Sequence, residues 1–185
     1  GYFKNPTNQT VIFDMFYRVN PCGGSFAITA GLEQMIEYIE NLHFSDKDIE
    51  YLRSLHIFED DFLEYLRSFH FTGDIYAIPE GTVVFPREPL VKVIAPIMEA
   101  QLVETAILNI INHQSLIATK ATRVTGLNTH TPRNVMEFGT RRAQGESAGN
   151  DGAYAAVLGG CVGTANCLAE MKFGAEVKAV GTVAH

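Results

Sequence analysis

The stretch VMEFGTRRAQG, residues 135 to 145, sets a carboxylate, a phenyl ring, a glycine and two adjacent arginines at the end of an apolar run. A planar guanidinium holds a carboxylate or phosphate through a bidentate fork, and a neighbouring ring can stack on a flat ligand. Phe138 followed by Arg141 therefore suits a small aromatic acid, with Glu137 placed to orient an arginine. A second apolar run, AVGTVAH at 179 to 185, closes on Thr182 and His185. A lone arginine pair is in most proteins a solvated turn. Two strand ends that bring Phe, Arg, Thr and His together argue for a site.

Other reactive residue types are less suggestive. His43, His56 and His70 follow helix-end patterns, where an imidazole suits the helix dipole. His113 and His130 lack ligand spacing, so no metal site is expected. The three cysteines, Cys22, Cys161 and Cys167, are odd in number and without metal spacing. That suits free thiols in a reducing compartment. Cys161 and Cys167 lie among small apolar residues and are expected to be buried.

The elements that must carry these groups follow from periodicity. Residues 7 to 21 alternate polar and apolar and read as a strand ending at Pro21. A glycine turn, a short strand and an amphipathic helix follow, with Leu32, Met35, Ile36 and Ile39 on one face. EYLRS occurs at 50 to 54 and again at 64 to 68, within two short helices, the first capped by Ser45. Two copies do not make a solenoid. Residues 71 to 96 read as a small antiparallel sheet cut by Pro and Gly. A long helix then runs to Gly126. After it come a strand (134 to 138), helices (about 150 to 159 and 163 to 173) and a strand (177 to 182), which predicts a parallel α/β unit. In such units the C-terminal strand ends carry the reactive groups, so 138 to 142 and 182 to 185 are expected on one rim.

Composition bounds the rest. The chain has 185 residues, 46% hydrophobic and 19% charged, enough for a real core. A net charge of -7 leaves no basic surplus for a nucleic-acid backbone. No run of 18 apolar residues predicts a membrane span. Gly1 is not an initiator Met, and His185 directly follows a strand-like run. Both ends therefore read as cut.

MEFGTRRAQG, GGCVGTANCLAEMKFG and VGTVAH, in that order, closely resemble nicotinate phosphoribosyltransferases. The resemblance extends upstream through FDMFYRVNPCGGSFAITAGLEQ, FTGDIYAIPEGTVVFPREPLVKV and NHQSLIATKATR, nearly the whole chain. It implies an amino-terminal α/β domain with a small sheet over 1 to 100. Residues 101 to 185 would then hold the linking helix and the first part of an incomplete, TIM-like α/β barrel. It also implies a cytoplasmic, homodimeric enzyme making nicotinate mononucleotide and pyrophosphate from nicotinate and phosphoribosyl pyrophosphate. ATP hydrolysis would be coupled, with magnesium on the pyrophosphate.

By that resemblance, Phe138 packs on the pyridine ring and Arg141 lies near the substrate carboxylate and phosphate. Thr182 lies near nicotinate, Thr164 near the pyridine substituent, and His185 is phosphorylated from ATP. A TDLYQ-like segment, whose tyrosine stacks on nicotinate across the dimer interface, is expected before Gly1, and the ribose-phosphate strands after His185. Nicotinamide phosphoribosyltransferase shares the fold, but a carboxylate would be expected near Thr164, where Val162, Gly163 and Ala165 stand. The quinolinate enzyme needs a more basic pocket and no phosphohistidine, against GTVAH. A non-catalytic binding or scaffold module remains the reading from another class, and 185 residues alone are expected to be inactive.

Overall fold

The computed structural model describes residues 1–5, 9–126, 130–174 and 178–180. Its first sheet is antiparallel, with β5 (Val91–Pro96) between β1 (Thr10–Met15) and β3 (Asp74–Ala77). Thr10 faces Pro96 and Asp74 faces Ile94. Alternation decides the faces: Val91, Val93 and Ala95 are buried, and Lys92 points outward to pair with Asp14 at 2.9 Å. β1 is shorter than its sequence pattern. The chain opposite Phe16 to Arg18 contains Pro86 and Pro89, which have no N–H to give a ladder. Only Arg87 N–H reaches the Tyr17 carbonyl there, at 2.9 Å. Pro21 begins a single 3-10 turn instead of ending a strand. A second, two-stranded sheet pairs β2 (Ala27–Ile28) with β4 (Val83–Val84).

Three helices lie between β2 and β3 in the chain. α1 (Leu32–Glu40) buries Met35 as expected, but Ile36 is exposed and Gln34 takes the inner position. α2 (Asp46–Ser54) starts from a capping box, with Ser45 and Asp48 exchanging backbone and side-chain bonds. α3 (Asp60–Arg67) has acidic residues in its first turn but no side-chain cap. Ile49, Leu63 and Leu66 from the two EYLRS-bearing helices make their own small core.

The long helix α4 (Ile97–Thr125) has 29 residues, about 44 Å at 1.5 Å per residue. Gly126, at φ 65°, ends it in the left-handed conformation. Ala100, Val103, Ile107 and Ile111 repeat every three or four positions and pack under β5 with Met35, Val84 and Leu90. Two turns further on, Ala118 packs with Ile28, Ala30 and Ala155, so the same stripe serves the next unit.

That unit is parallel. β6 (Met136–Glu137) pairs in register with β7 (Gly163–Thr164), and Ala179 bridges to Thr164 on the other side, also in parallel. α5 (Glu146–Leu158) connects the strands, and α6 (Cys167–Phe173) follows β7. Two expectations are corrected here. α5 begins at Glu146, since Gly149 and Gly152 are tolerated where the helix lies on its neighbours. Residues 163 and 164 are a strand, not the start of a helix; α6 starts only after Asn166, whose side chain caps it.

Candidate functional site

Three parallel segments lie side by side. Val162 N–H bonds Val135 O at 2.9 Å and Ala165 N–H bonds Glu137 O at 2.9 Å. On the other side, Thr164 N–H bonds Lys178 O at 2.9 Å and Val180 N–H bonds Thr164 O at 2.7 Å. The rim expected from 134–138 and 177–182 therefore contains a strand that periodicity did not reveal, and β7 separates the two expected ones. Thr182 and His185 lie outside the described residues.

Phe138 leaves the end of β6 half-exposed. Gly139 then opens a 3-10 turn, Thr140–Arg142, closed by Arg142 N–H to Gly139 O at 2.8 Å. Arg141 and Arg142 are exposed, and neither forms an ion pair with a described residue. The turn rests on α5: Gly149 is buried against Thr140 and Ala143. Two exposed cations on a supported turn that follows a half-exposed ring are chemically suited to an aromatic acid.

Glu137 does not orient an arginine. Its Oε1 accepts the Gly139 N–H, and its Oε2 accepts the Thr164 hydroxyl at 2.6 Å. Thr164 is fully buried, and its oxygen also accepts the Asn166 N–H at 3.0 Å. Asn166 in turn caps α6 through Ala169 N–H at 3.0 Å and donates to Asn150 Oδ1 on α5 at 2.8 Å. The sequence did carry a signal for Asn166, an Asn directly before an apolar helical run. It carried none for the partner of Glu137.

The remaining titratable groups behave structurally. Burial, and then the Glu137 charge, push the Cys161 thiol up, as suits an inert buried thiol. Cys167, expected to be buried, is exposed because it is the first residue of α6 on its outer side. His43 and His70 bond the Asn41 and Ser68 carbonyls at helix ends. Among the described residues no group of three or more His, Cys, Asp or Glu could hold a metal ion. No described helix is long and apolar enough to cross a membrane.

Two clefts lie away from the rim. One, about 490 Å³, is an apolar groove between β1, β2 and α4, lined by Tyr17, Ile28, Leu108 and Ser115. The other, about 670 Å³, is polar and lined by Gln34, Glu37, Asn150, Asp151 and Lys172. Neither is lined by Phe138, Arg141 or Thr164.

Comparison with known proteins gives a consistent picture. Residues 1–112 match the family described as nicotinate phosphoribosyltransferase (NAPRTase) N-terminal domain. The chain is 45% identical over 185 residues to a nicotinate phosphoribosyltransferase of Mycobacterium tuberculosis, covering all of this chain and 39% of that protein. It is 47% identical over 177 residues to the Bacillus subtilis nicotinate phosphoribosyltransferase, covering 96% of this chain and 35% of that one. The chain thus spans about two fifths or less of the length of these curated relatives. Human nicotinic acid phosphoribosyltransferase superposes with a TM-score of 0.89 at 33% identity, over 100% of this chain and 37% of that one. A nicotinate-nucleotide pyrophosphorylase from Pyrococcus furiosus superposes at 0.69 with 24% identity, over 95% of this chain and 36% of that one, which speaks for shared fold alone.

Proposed function

Since this chain belongs to the nicotinate phosphoribosyltransferase family, we propose that the full-length protein joins nicotinate to phosphoribosyl pyrophosphate. The observation that carries the reading is the half-exposed Phe138 ring three residues before an exposed Arg141 that has no ion-pair partner among the described residues. The ring packs on the pyridine, and the guanidinium holds the carboxylate or the adjacent phosphate. The pyridine nitrogen attacks the anomeric carbon. The bond from that carbon to pyrophosphate breaks, and the electron pair leaves with pyrophosphate. Little proton transfer is needed, so the protein contributes mainly position and charge.

Thr164, at the neighbouring strand end, and Thr182 belong to the same nicotinate subsite in this reading. His185 is the phosphoryl acceptor: its ring nitrogen takes the γ-phosphoryl group of ATP, releasing ADP, and water later removes it. The added charge then draws on the rim arginines. Magnesium would accompany phosphoribosyl pyrophosphate and ATP; the described residues offer no carboxylate cluster for it, and no step here depends on one. The working protein is a cytoplasmic homodimer in this reading, with residues 1–100 as its amino-terminal domain and 101–185 opening the barrel.

His185→Asn in the full-length protein tests the reading. Wild type should hydrolyse ATP in a nicotinate-stimulated way and carry a phosphate that survives base and vanishes in acid. The variant should bind nicotinate but lose both properties, since no amide can accept the phosphoryl group. Nicotinate-stimulated ATP hydrolysis surviving in the variant would remove His185 from that role.

A further inference from the structure

We infer that Glu137 is a positioning residue that straps the ends of β6 and β7 together and sets the turn presenting Phe138 and Arg141. The inference rests on the proposed reading of this rim as the nicotinate subsite. It starts from hydrogen-bond direction. A carboxylate only accepts, so the Gly139 N–H and the Thr164 hydroxyl must both donate to Glu137. The single Thr164 proton is thereby committed, and its oxygen receives the Asn166 N–H. A directed chain runs from Asn166 through Thr164 to Glu137, and Asn166 extends it to α5 and α6.

Gly139 bears on the same contact. Its φ is -88°, a value any residue adopts, so backbone conformation does not demand glycine. Space bears on the strap instead: a Cβ there would stand 2.6 Å from Glu137 Oε1, so a larger residue would displace the flexible carboxylate from this contact. The missing side chain is what lets the carboxylate fold back onto its own chain two residues on. Gly139 O also receives Arg142 N–H, so fixing Gly139 fixes where the arginine turn starts. Phe138 lies between the two residues so held.

Charge explains why such a strap belongs at an anion site. A carboxylate beside Arg141 would normally pair with it and compete with an anionic substrate. Here both oxygens of Glu137 are satisfied by neutral donors, and Arg141 keeps no ion-pair partner among the described residues. Thr164, whose side chain is fully buried, bears on the subsite through this strap.

The test uses the full-length protein with Glu137→Ala, Glu137→Gln, Thr164→Val and the Glu137→Ala/Thr164→Val double variant. Glu137→Ala and Thr164→Val should each raise the nicotinate KM about tenfold, with the phosphoribosyl pyrophosphate KM within about twofold. Glu137→Gln should retain part of the affinity, because an amide oxygen can still accept the Gly139 N–H. The double variant should be no worse than the worse single one, as expected of one shared contact. Amide hydrogen exchange at Gly139 should quicken in Glu137→Ala. An unchanged nicotinate KM in both folded single variants, or effects that simply multiply, would overturn the strap and leave the functional reading standing. If wild type turns over no nicotinate, the functional reading falls; exchange at Gly139 then decides the strap, which stands if protection is lost in Glu137→Ala and falls if it is not.

Discussion

The Tyr154 hydroxyl donates to Glu80 Oε2 at 2.7 Å, while Glu80 Oε1 accepts the N–H groups of Gly31 at 2.6 Å and Leu32 at 2.8 Å. One carboxylate therefore caps α1 of the antiparallel part and anchors α5 of the parallel part. The Tyr154 ring also stacks on Phe173 of α6, with centroids 4.3 Å apart. Glu80 lies in the turn between β3 and β4, so residues far apart in sequence meet at one side chain.

Tyr154→Phe keeps the ring and removes only the hydroxyl, so the expected loss is about 1–2 kcal/mol, read as a lower urea midpoint at unchanged slope. A pH signature follows. Burial first, and then Glu80, raise the Tyr154 phenol above its ordinary value. The folded pKa exceeds the unfolded one, so this contribution is complete below about pH 10 and is lost as pH rises above it. Wild type should lose stability above pH 10 more steeply than the Phe variant; parallel profiles would remove the link.

Gly159, the C-cap of α5, lies tightly against α4. A Cβ there would stand 2.4 Å from Ala118 O and 2.5 Å from Ala121 Cβ. Backbone cannot yield as a flexible side chain does, so Gly159→Ala should destabilise by about 1–3 kcal/mol. A thermal midpoint within a degree of wild type would contradict that close contact.

Asp151 lines the polar cleft, and burial raises its carboxyl above the ordinary value, with Lys172 and His113 pulling it partly back. Its folded pKa lies above the unfolded one, so the protonated form is favoured on folding. The stability this gives is full below about pH 4 and is lost as pH rises through the folded value. Asp151→Asn, neutral at every pH, should thus be more stable than wild type at pH 7 by up to about 1 kcal/mol. The gap should close towards pH 4; a gap that grows on acidification would reverse the sign.

Arg141→Ala in the full-length protein should reduce kcat/KM for nicotinate by the equivalent of about 2–5 kcal/mol if the closed site excludes water. Lysine should rescue it poorly because it lacks the planar fork. Steady-state kinetics on both variants decide it, and near wild-type kcat/KM in the alanine variant would take Arg141 out of the site.

The sequence by itself determined the elements whose signals are local. α4 was legible because its apolar residues keep one helical stripe from Ala100 to Ile111 and Gly126 supplies the left-handed stop. The Ser45 cap and the alternating faces of β5 were legible for the same reason, since each is written within a few residues. That Phe138 and Arg141 stay exposed after β6 could be anticipated from a strand ending in glycine and cations.

Only tertiary structure decided the rest. β7 has two residues, too few for any period to register, and it exists because β6 and the segment around Ala179 supply partners on both sides. Gln34 displaced Ile36 from the inner face of α1, contrary to their hydropathy, and its side-chain nitrogen and oxygen are buried without a hydrogen-bond partner among the described residues. Most of all, a glutamate two residues before a glycine and three before the arginine turn reads as an arginine's partner. Its true partner, Thr164, is 27 positions away and comes into reach only when two parallel strand ends lie side by side. A carboxylate's choice between a salt bridge and a buried hydroxyl depends on distance in space, which sequence order does not encode.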